Sequence, residues 1–427
     1  MNAMSSRKAR CSTRVPRALL LAGVVLCSGL PARSQVQLPE GKGKELVESR
    51  CTLCHGLDEL VGRVNLNRED WQDRVNQMVA YGAPLSKDEI AEVTDYLARN
   101  FAGPGKPAGV VIRGPIEARI NEVPVRPGLR PSESLFAPDG SIWFTTGRPL
   151  LGRYDPQTGQ FKEYPFKNPN SRAHSMAADH VGNVWFTAQN QEGIDYVGRL
   201  NPKTGEITEY PMPDPKARQL HSLIVDQKGN VWFTMVRGDM VGKVIPKTGE
   251  VKLAPVPTPD SSPYDIQVNS KGIPFFSEFY TNKVASIDPD TMAIREYVLA
   301  NPGTRPKRIG FTPDDVLWYA DYARGYLGRL NPKTGETKEW PSPGGRRTQP
   351  YGLTVSGDIV WYTETNTKPP TVVRFDTKIE KFQTWLLPSA GDQVHDMVPA
   401  PDGNVWISRS TVKGGVIDKV EIRSGGR

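Results

Sequence analysis

Residues 182–187 read G-N-V-W-F-T, and residues 229–234 repeat the same six letters. A close copy, G-S-I-W-F-T, stands at 140–145, and weaker copies follow at 273–277, 316–320, 359–363 and 404–408. Seven aromatic residues anchor the copies: Trp143, Trp185, Trp232, Phe275, Trp318, Trp361 and Trp406. Their spacings are 42, 47, 43, 43, 43 and 45 residues. A period of about 40–45 residues is typical of a β-propeller with four short strands per blade.

The rest of each repeat fits the same architecture. The phrase G-R-L-N-P-K-T-G-E occurs at 198–206 and again at 328–336, and its Asn, Pro and Gly residues favour a tight turn between two strands. The seventh repeat ends one strand short, and residues 116–126 have the pattern of the missing outer strand. We therefore predict an all-β seven-bladed propeller over residues 115–427, with this N-terminal strand completing the last blade.

The first 34 residues have the pattern of a secretory signal. Basic residues precede an apolar stretch at 18–30, and Ala32-Arg33-Ser34 fits a small-residue cleavage site before Gln35. This predicts a periplasmic or secreted protein with no integral membrane span after cleavage. An uncleaved membrane anchor is the alternative.

Removal of the signal also changes the charge. It carries six of the 54 basic residues and none of the 47 acidic ones, so the mature net charge is +1. The basic pI of the whole chain is therefore no argument for nucleic-acid binding, and we expect none.

The only cysteines of the mature chain lie in C-T-L-C-H at 51–55. This is the attachment motif of c-type haem, in which Cys51 and Cys54 bond the porphyrin and His55 ligates the iron. A thioredoxin-like redox pair or half a zinc site are the alternatives. The adjacent histidine, the lack of a second cysteine pair and the predicted export favour one covalent haem c.

The flanks of this motif predict a small all-α domain over residues 35–103. A short helix leads into Cys51, and Ser86 with Glu89 forms a capping box at the start of a second helix, which ends before Gly103. The segment resembles class I cytochrome c, and a Gly/Pro-rich linker at 104–114 follows it. Met78 is the candidate sixth iron ligand, or it packs in a helix interface.

The propeller repeats predict a polar rim around the axis. The first strand of each blade begins about 11 residues before its anchor, at Glu133, His174, His221, Tyr264, Lys307, Tyr351 and His395. The second strands are predicted to return to the same rim at Thr146, Ala188, Met235, Glu278, Asp321, Glu364 and Arg409. So many groups that titrate or coordinate favour a binding pocket, and a water-filled channel mouth is the alternative.

These repeats, with W-Y-T-E at 361–364 and P-Y-G-L at 350–353, resemble the virginiamycin B lyase (streptogramin lyase) family. The resemblance implies a seven-bladed propeller, and a lyase that opens a lactone by elimination with magnesium, acidic ligands and a histidine base. It makes Glu278 and Glu364 candidate metal ligands. His221 and His395 become candidate catalytic groups, together with Tyr280, which stands where a histidine is expected, and with Lys307 on the rim.

The sequence leaves three functional hypotheses. The first is a periplasmic electron-transfer protein, in which haem c exchanges electrons with a redox partner protein or a small-molecule substrate bound at the propeller rim. The second is a magnesium-dependent C–O lyase with an accessory cytochrome. The third is a haem-linked sensor or binding module. All three share one predicted architecture: a multidomain chain with a small all-α cytochrome c domain followed by an all-β seven-bladed propeller.

Overall fold

The computed structural model describes residues 37–53, 57, 60, 66–80, 83–389, 394–411 and 414–424. By its backbone contacts the chain divides into two units, Met1–Glu40 and Gly41–Arg427. The second unit contains the three described helices and all the described strands. The predicted signal at 1–34 lies outside the described residues, and the boundaries at 103 and 114 stay predictions.

Seven four-stranded antiparallel sheets form the propeller, which confirms the predicted seven blades. The first three blades consist of β2 (Ser134–Phe136), β3 (Ile142–Thr145), β4 (Leu150–Tyr154), β5 (Phe161–Pro165), β6 (Ser171–Ala178), β7 (Val184–Asn190), β8 (Tyr196–Leu200), β9 (Ile207–Pro211), β10 (Arg218–Val225), β11 (Val231–Arg237), β12 (Met240–Ile245) and β13 (Glu250–Pro255). The next three consist of β14 (Pro263–Val268), β15 (Pro274–Glu278), β16 (Lys283–Ile287), β17 (Ile294–Val298), β18 (Pro306–Phe311), β19 (Leu317–Asp321), β20 (Tyr326–Leu330), β21 (Thr337–Pro341), β22 (Pro350–Ser356), β23 (Ile359–Glu364), β24 (Thr371–Asp376) and β25 (Lys381–Leu386).

Blade seven joins the two ends of the propeller. Its inner strands are β26 (Val398–Pro399), β27 (Val405–Thr411) and β28 (Gly414–Ser424), and β1 (Ile116–Pro124) pairs antiparallel with β28 at the outer edge. The sequence pattern assigns this outer position to residues 116–126. Pairing the two ends of the chain in one sheet closes the ring by hydrogen bonds, and it covers an edge that a C-terminal hairpin alone would expose.

The repeated phrase specifies a tight turn and a buried strand. In blade two the turn before β7 is closed by the N–H of Gly182, which donates to the carbonyl of Asp179. The indole of Trp185 then donates to the carboxylate of Asp179 at 2.9 Å, and Trp232 does the same with Asp226 in blade three. Trp185 and Trp232 are each buried among residues of two neighbouring blades, so the indole nitrogen needs this partner.

In four blades the aromatic residue after the anchor explains a glycine of the next strand. Phe186 lies opposite Gly198, and a Cβ at that glycine would stand 2.2 Å from the phenyl ring. The same pair recurs as Phe233 with Gly242 in blade three. In these blades the ring covers the backbone of the third strand, where a Cβ atom would overlap it.

Before the propeller, the α-helices whose bounds the structure describes are α1 (Lys44–Arg50), α2 (Arg68–Ala80) and α3 (Lys87–Asn100). The predicted capping box at the start of α3 is confirmed, because Ser86 and Glu89 bond each other's backbone N–H groups. No described helix is long and apolar enough to cross a membrane. The described helices do not by themselves define a cytochrome c domain, so that assignment stays a prediction.

The segment between the helices and the ring lies along blade six. The backbone of Lys368 donates to Pro107, and Ile112 exchanges hydrogen bonds with Thr384 in the outer strand of that blade. The Lys368 ammonium also lies 3.0 Å from the carboxylate of Glu69 on α2. Residues 104–114, predicted as a linker, thus hold the helices against the propeller at this blade.

We expect Gly198→Ala to destabilise the propeller by about 1–3 kcal/mol, because the new methyl group would overlap the ring of Phe186 in a close-packed blade. Urea denaturation followed by tryptophan fluorescence would measure the loss. The control is Gly303→Ala, whose methyl group would meet only the side-chain atoms of Asn301 and Arg324. Equal stability of the two variants would contradict the proposed role of the ring.

Candidate functional site

Several of the predicted first-strand residues come together around the propeller axis, where a β-bulge recurs in the first strands. In blades two to six the pairing of the first and second strands shifts register beside the rim residue, for example between Leu220 and Leu223 around His221. A bulge adds one residue to one strand and redirects its side chains. Residues 221 and 222 therefore both face the axis, whereas regular alternation would send one of them away.

Histidines and tyrosines form a continuous arc on the rim. The ring of His221 lies 3.9 Å from that of His174 and 3.7 Å from that of Tyr264, measured between centroids. The hydroxyls of Tyr264 and Tyr351 are hydrogen-bonded, and the ring of Tyr351 lies 5.3 Å from that of His395. Three histidines from blades two, three and seven thus share one site, as their positions in the repeats predict.

Lys307 extends into a cluster of aromatic rings. Its Nζ lies 4.0 Å from the ring centroid of Tyr322, 4.2 Å from that of Tyr351 and 4.6 Å from that of Phe279. Tyr280 follows Phe279 and packs against it at 5.1 Å between centroids. The negative faces of these rings attract the ammonium, so its positive charge is held beside the histidines in a largely apolar setting.

A second layer of charged groups lies one residue further along the first strands. Arg308 donates two hydrogen bonds to Glu133, at 2.6 and 2.7 Å, and one to Asp265 at 3.1 Å. Burial alone would lower the pKa of Arg308, but the carboxylates of Glu133, Asp265 and Asp396 hold it well above its ordinary value. Sequence reasoning missed Arg308, Asp265 and Asp396. These three residues directly follow Lys307, Tyr264 and His395 in the sequence, and this adjacency could have identified them.

Burial and nearby cations keep the three rim histidines neutral. The pKa of His174 is lowered to about 3, first by burial and then by Arg308. The pKa values of His221 and His395 are lowered well below the usual range for the same reasons, with Lys307 contributing to both. Arg74 on α2 also depresses the pKa of His395, so the helical segment adds to the electric field at the rim.

Glu278 and Glu364 are both buried, and they have different hydrogen-bond partners. The Glu278 carboxylate accepts a hydrogen bond from Thr281, and burial raises its pKa to about 7. The Glu364 carboxylate accepts from Ser342 and from the backbone of Gly344, and burial raises its pKa too. Each has one buried oxygen without a hydrogen-bond partner among the described residues.

These two carboxylates share no hydrogen-bond partner among the described residues, and the magnesium site stays a prediction. They belong to blades four and six and have different neighbours. Across the described ranges, no group of three or more His, Cys, Asp or Glu side chains is arranged to hold a metal ion. Two other residues at the ends of second strands, also predicted on the rim, form ion pairs with other side chains. Asp321 pairs with Arg324, and Arg409 pairs with Asp418.

The predicted haem ligands are only partly covered by the structure. Cys51 begins a one-turn 3-10 helix, Cys51–Leu53, directly after α1, and Met78 lies partly buried near the end of α2. Cys54 and His55 lie outside the described residues. The haem assignment and the role of Met78 therefore stay predictions.

We expect the imidazoles of His174, His221 and His395 to stay neutral from mildly acidic to mildly basic pH in the folded protein. Their folded pKa values lie below the ordinary value of about 6.5, so their contribution to stability is complete above that pH. It is lost progressively as the pH falls towards about 3, the folded value of His174. Histidine NMR, assigned by single His→Gln variants, measures this. A rim imidazole titrating near pH 6.5 in folded protein would contradict it.

Comparison with known proteins agrees with this architecture. The model of the Virginiamycin B lyase family matches residues 190–422. No curated protein sequence matches the chain. Among solved structures, a streptogramin B lyase is 25% identical with a TM-score of 0.63, over 72% of this chain and 98% of that one.

Two structures of virginiamycin B lyase from Staphylococcus aureus also match. One contains selenomethionine and is 21% identical, over 71% of this chain and 99% of that one. The other is a catalytically inactive variant with quinupristin, 20% identical over 71% of this chain and 100% of that one. Both have a TM-score of 0.63 and share the fold. Because the family match spans more than half of the residues, the chain belongs to the Virginiamycin B lyase family.

Proposed function

We propose that the axial rim is the active site of a C–O lyase that opens a cyclic ester by elimination. The observation that carries this proposal is the arc of neutral histidines beside the ammonium of Lys307. The arc lies in a propeller of the Virginiamycin B lyase family. An elimination removes a proton from one carbon, breaks the bond between the next carbon and the ester oxygen, and leaves an alkene and a carboxylate. It needs an unprotonated base and a positive charge near the departing carboxylate.

His221 and His395 are suited to the base in different ways. The Nδ1 of His221 lies 2.9 Å from the carbonyl oxygen of Tyr264, which can only accept, so this nitrogen carries the proton and Nε2 carries the lone pair. His221 is buried, however, whereas His395 is partly exposed. We therefore assign the proton transfer to His395 and the positioning of the substrate to His221. Lys307 provides the nearby positive charge.

We expect the full-length protein to linearise quinupristin, the compound bound in one of the similar lyases. Elimination gives a linear product of unchanged mass, whereas hydrolysis adds one water, so liquid chromatography with mass spectrometry separates the two reactions. His395→Ala should lower the rate by about 10²–10⁴-fold, because it removes the base. His180→Ala is the matched control, since His180 lies exposed in a turn. No product from the unmodified protein would overturn the lyase proposal.

The same assay tests magnesium. Glu278 and Glu364 have different hydrogen-bond partners, and the proposed proton transfer does not involve a metal ion. Turnover that requires added magnesium and is lost in Glu278→Gln would restore a metal role for that carboxylate. Turnover that survives both changes supports proton transfer by the rim residues alone.

A second candidate function, electron transfer, is favoured by C-T-L-C-H at 51–55. We propose that Cys51 and Cys54 hold one haem c covalently, with His55 and Met78 as axial ligands, in a protein exported through residues 1–34. The packing of the helices supports this, because the backbone of Gly43 contacts Tyr96 where α1 meets α3. A bound haem would exchange single electrons with a redox partner or with a substrate at the rim.

We expect full-length protein, produced in a periplasm with haem attachment machinery, to carry haem through denaturing electrophoresis. Cys54→Ser should abolish double attachment and shift the reduced absorption band. Met78→Ala should keep the haem but change the axial ligation, seen as a lower reduction potential. Met176→Ala is the control, since Met176 lies in the propeller. Absence of covalent haem in the unmodified protein would overturn this second function without affecting the lyase assay.

A further inference from the structure

Arg308 connects five blades across the propeller axis. It lies on β18 of blade five, and its side chain is 4% exposed. Its guanidinium donates to groups from blades one, three, four and seven, which are the carboxylates of Glu133 and Asp265, the hydroxyl of Ser222 and the backbone carbonyl of His395. A guanidinium carries five N–H donors in one rigid plane, so this single side chain can fix the relative positions of all these groups.

The contact with His395 holds a stretch of backbone that lies outside the described strands. The first strand of blade seven is only Val398–Pro399, whereas the rim residues of blades two to six lie within first strands of six to eight residues. The Nε of Arg308 donates to the carbonyl of His395 at 3.0 Å, and the N–H of Val394 donates to Thr365 at 2.8 Å. These two bonds hold the main chain beside the imidazole to which we assign proton transfer.

A second contact of Arg308 reaches His221 through one hydroxyl group. The Nη1 of Arg308 donates to the Oγ of Ser222 at 3.0 Å, and this oxygen lies 3.2 Å from the Nδ1 of His221. A guanidinium can only donate, so the oxygen accepts from it and has a second lone pair left for the proton on Nδ1. The carbonyl of Tyr264 is the other acceptor for that proton. Two acceptors at Nδ1 thus keep the lone pair of this ring on Nε2.

The guanidinium is itself fixed by buried carboxylates. Glu133 accepts two hydrogen bonds from Nη2 of Arg308, at 2.6 and 2.7 Å. Asp265 accepts from Nη1 at 3.1 Å with one oxygen, and from the backbone N–H of Ile309 at 2.9 Å with the other. Charge-assisted hydrogen bonds of this kind add geometric specificity as well as energy. A lysine would keep the charge but could not reproduce the planar set of donors.

We propose that Arg308 is a positioning residue for the rim site, which holds the main chain of His395 and, through the hydroxyl of Ser222, the imidazole of His221. Its effect on turnover rests on the proposed lyase function, whereas its effect on the imidazoles does not, so the two can fail separately. Blade two offers a matched control. Ser175 directly follows a rim histidine, as Ser222 does, and is also buried, but it makes no hydrogen bond to Arg308 in the described part of the chain.

The first test measures the tautomer of His221 by NMR of the histidine ring nitrogens, in full-length protein near neutral pH. His221 should be protonated mainly at Nδ1. Ser222→Ala, which removes no charge, should raise the fraction protonated at Nε2 by about three- to tenfold, because Nδ1 loses one of its two acceptors. Ser175→Ala should leave this fraction unchanged. An unchanged tautomer in Ser222→Ala, or an equal change in Ser175→Ala, would overturn the link through the hydroxyl.

The second test measures the steady-state turnover of quinupristin by the folded variants. Arg308→Lys keeps the positive charge, so a purely electrostatic role would leave kcat unchanged, whereas a misplaced base should lower kcat by about 10–100-fold. Ser222→Ala should mainly raise KM, by about three- to tenfold, because His221 is assigned to substrate positioning. Tryptophan fluorescence checks folding, and if Arg308→Lys does not fold, Ser222→Ala decides. An unmodified protein without turnover would refute the lyase proposal and leave the tautomer test of Arg308 intact.

Discussion

The hydroxyl group that ends each W-F-T phrase holds the propeller axis together. In blade two Thr187 accepts from the backbone N–H of Ser175, beside the bulge of its own blade, and donates to the carbonyl of His221 in the next blade. Thr234 repeats this between Ser222 and Tyr264. One side chain therefore satisfies a strand irregularity and joins adjacent blades, so the bulge and the contact between blades stabilise each other.

This geometry has a direct chemical consequence. Because two successive residues of each first strand face the axis, the channel carries two polar layers close together. The outer layer contains the histidines, tyrosines and Lys307, and the inner layer contains Arg308 with its carboxylates. The cations of both layers act on the imidazoles, which burial already disfavours as cations, so the imidazoles stay neutral.

The helical segment is bound to the same side of the protein as the rim. Lys368 joins blade six to Glu69 on α2, and Arg74 of that helix lowers the pKa of His395. A charge on the helical segment can therefore influence the rim through space. This links the two proposed functions physically, because a change of charge near α2 would alter the basicity of a rim histidine.

The repeat period and its anchor aromatics determined the seven blades, and the distance from each anchor to its strand start identified the rim histidines. These features are local in sequence, so a count of residues is enough to find them. The different hydrogen-bond partners of Glu278 and Glu364 were not predictable. The two residues have equivalent positions in the repeats, but their neighbours come from different blades. The layer around Arg308 was not predictable either, because regular strand alternation would turn its residues away from the axis. The hydroxyl that bonds the bulge also bonds the next blade, and the tertiary structure therefore decided which polar side chains meet there.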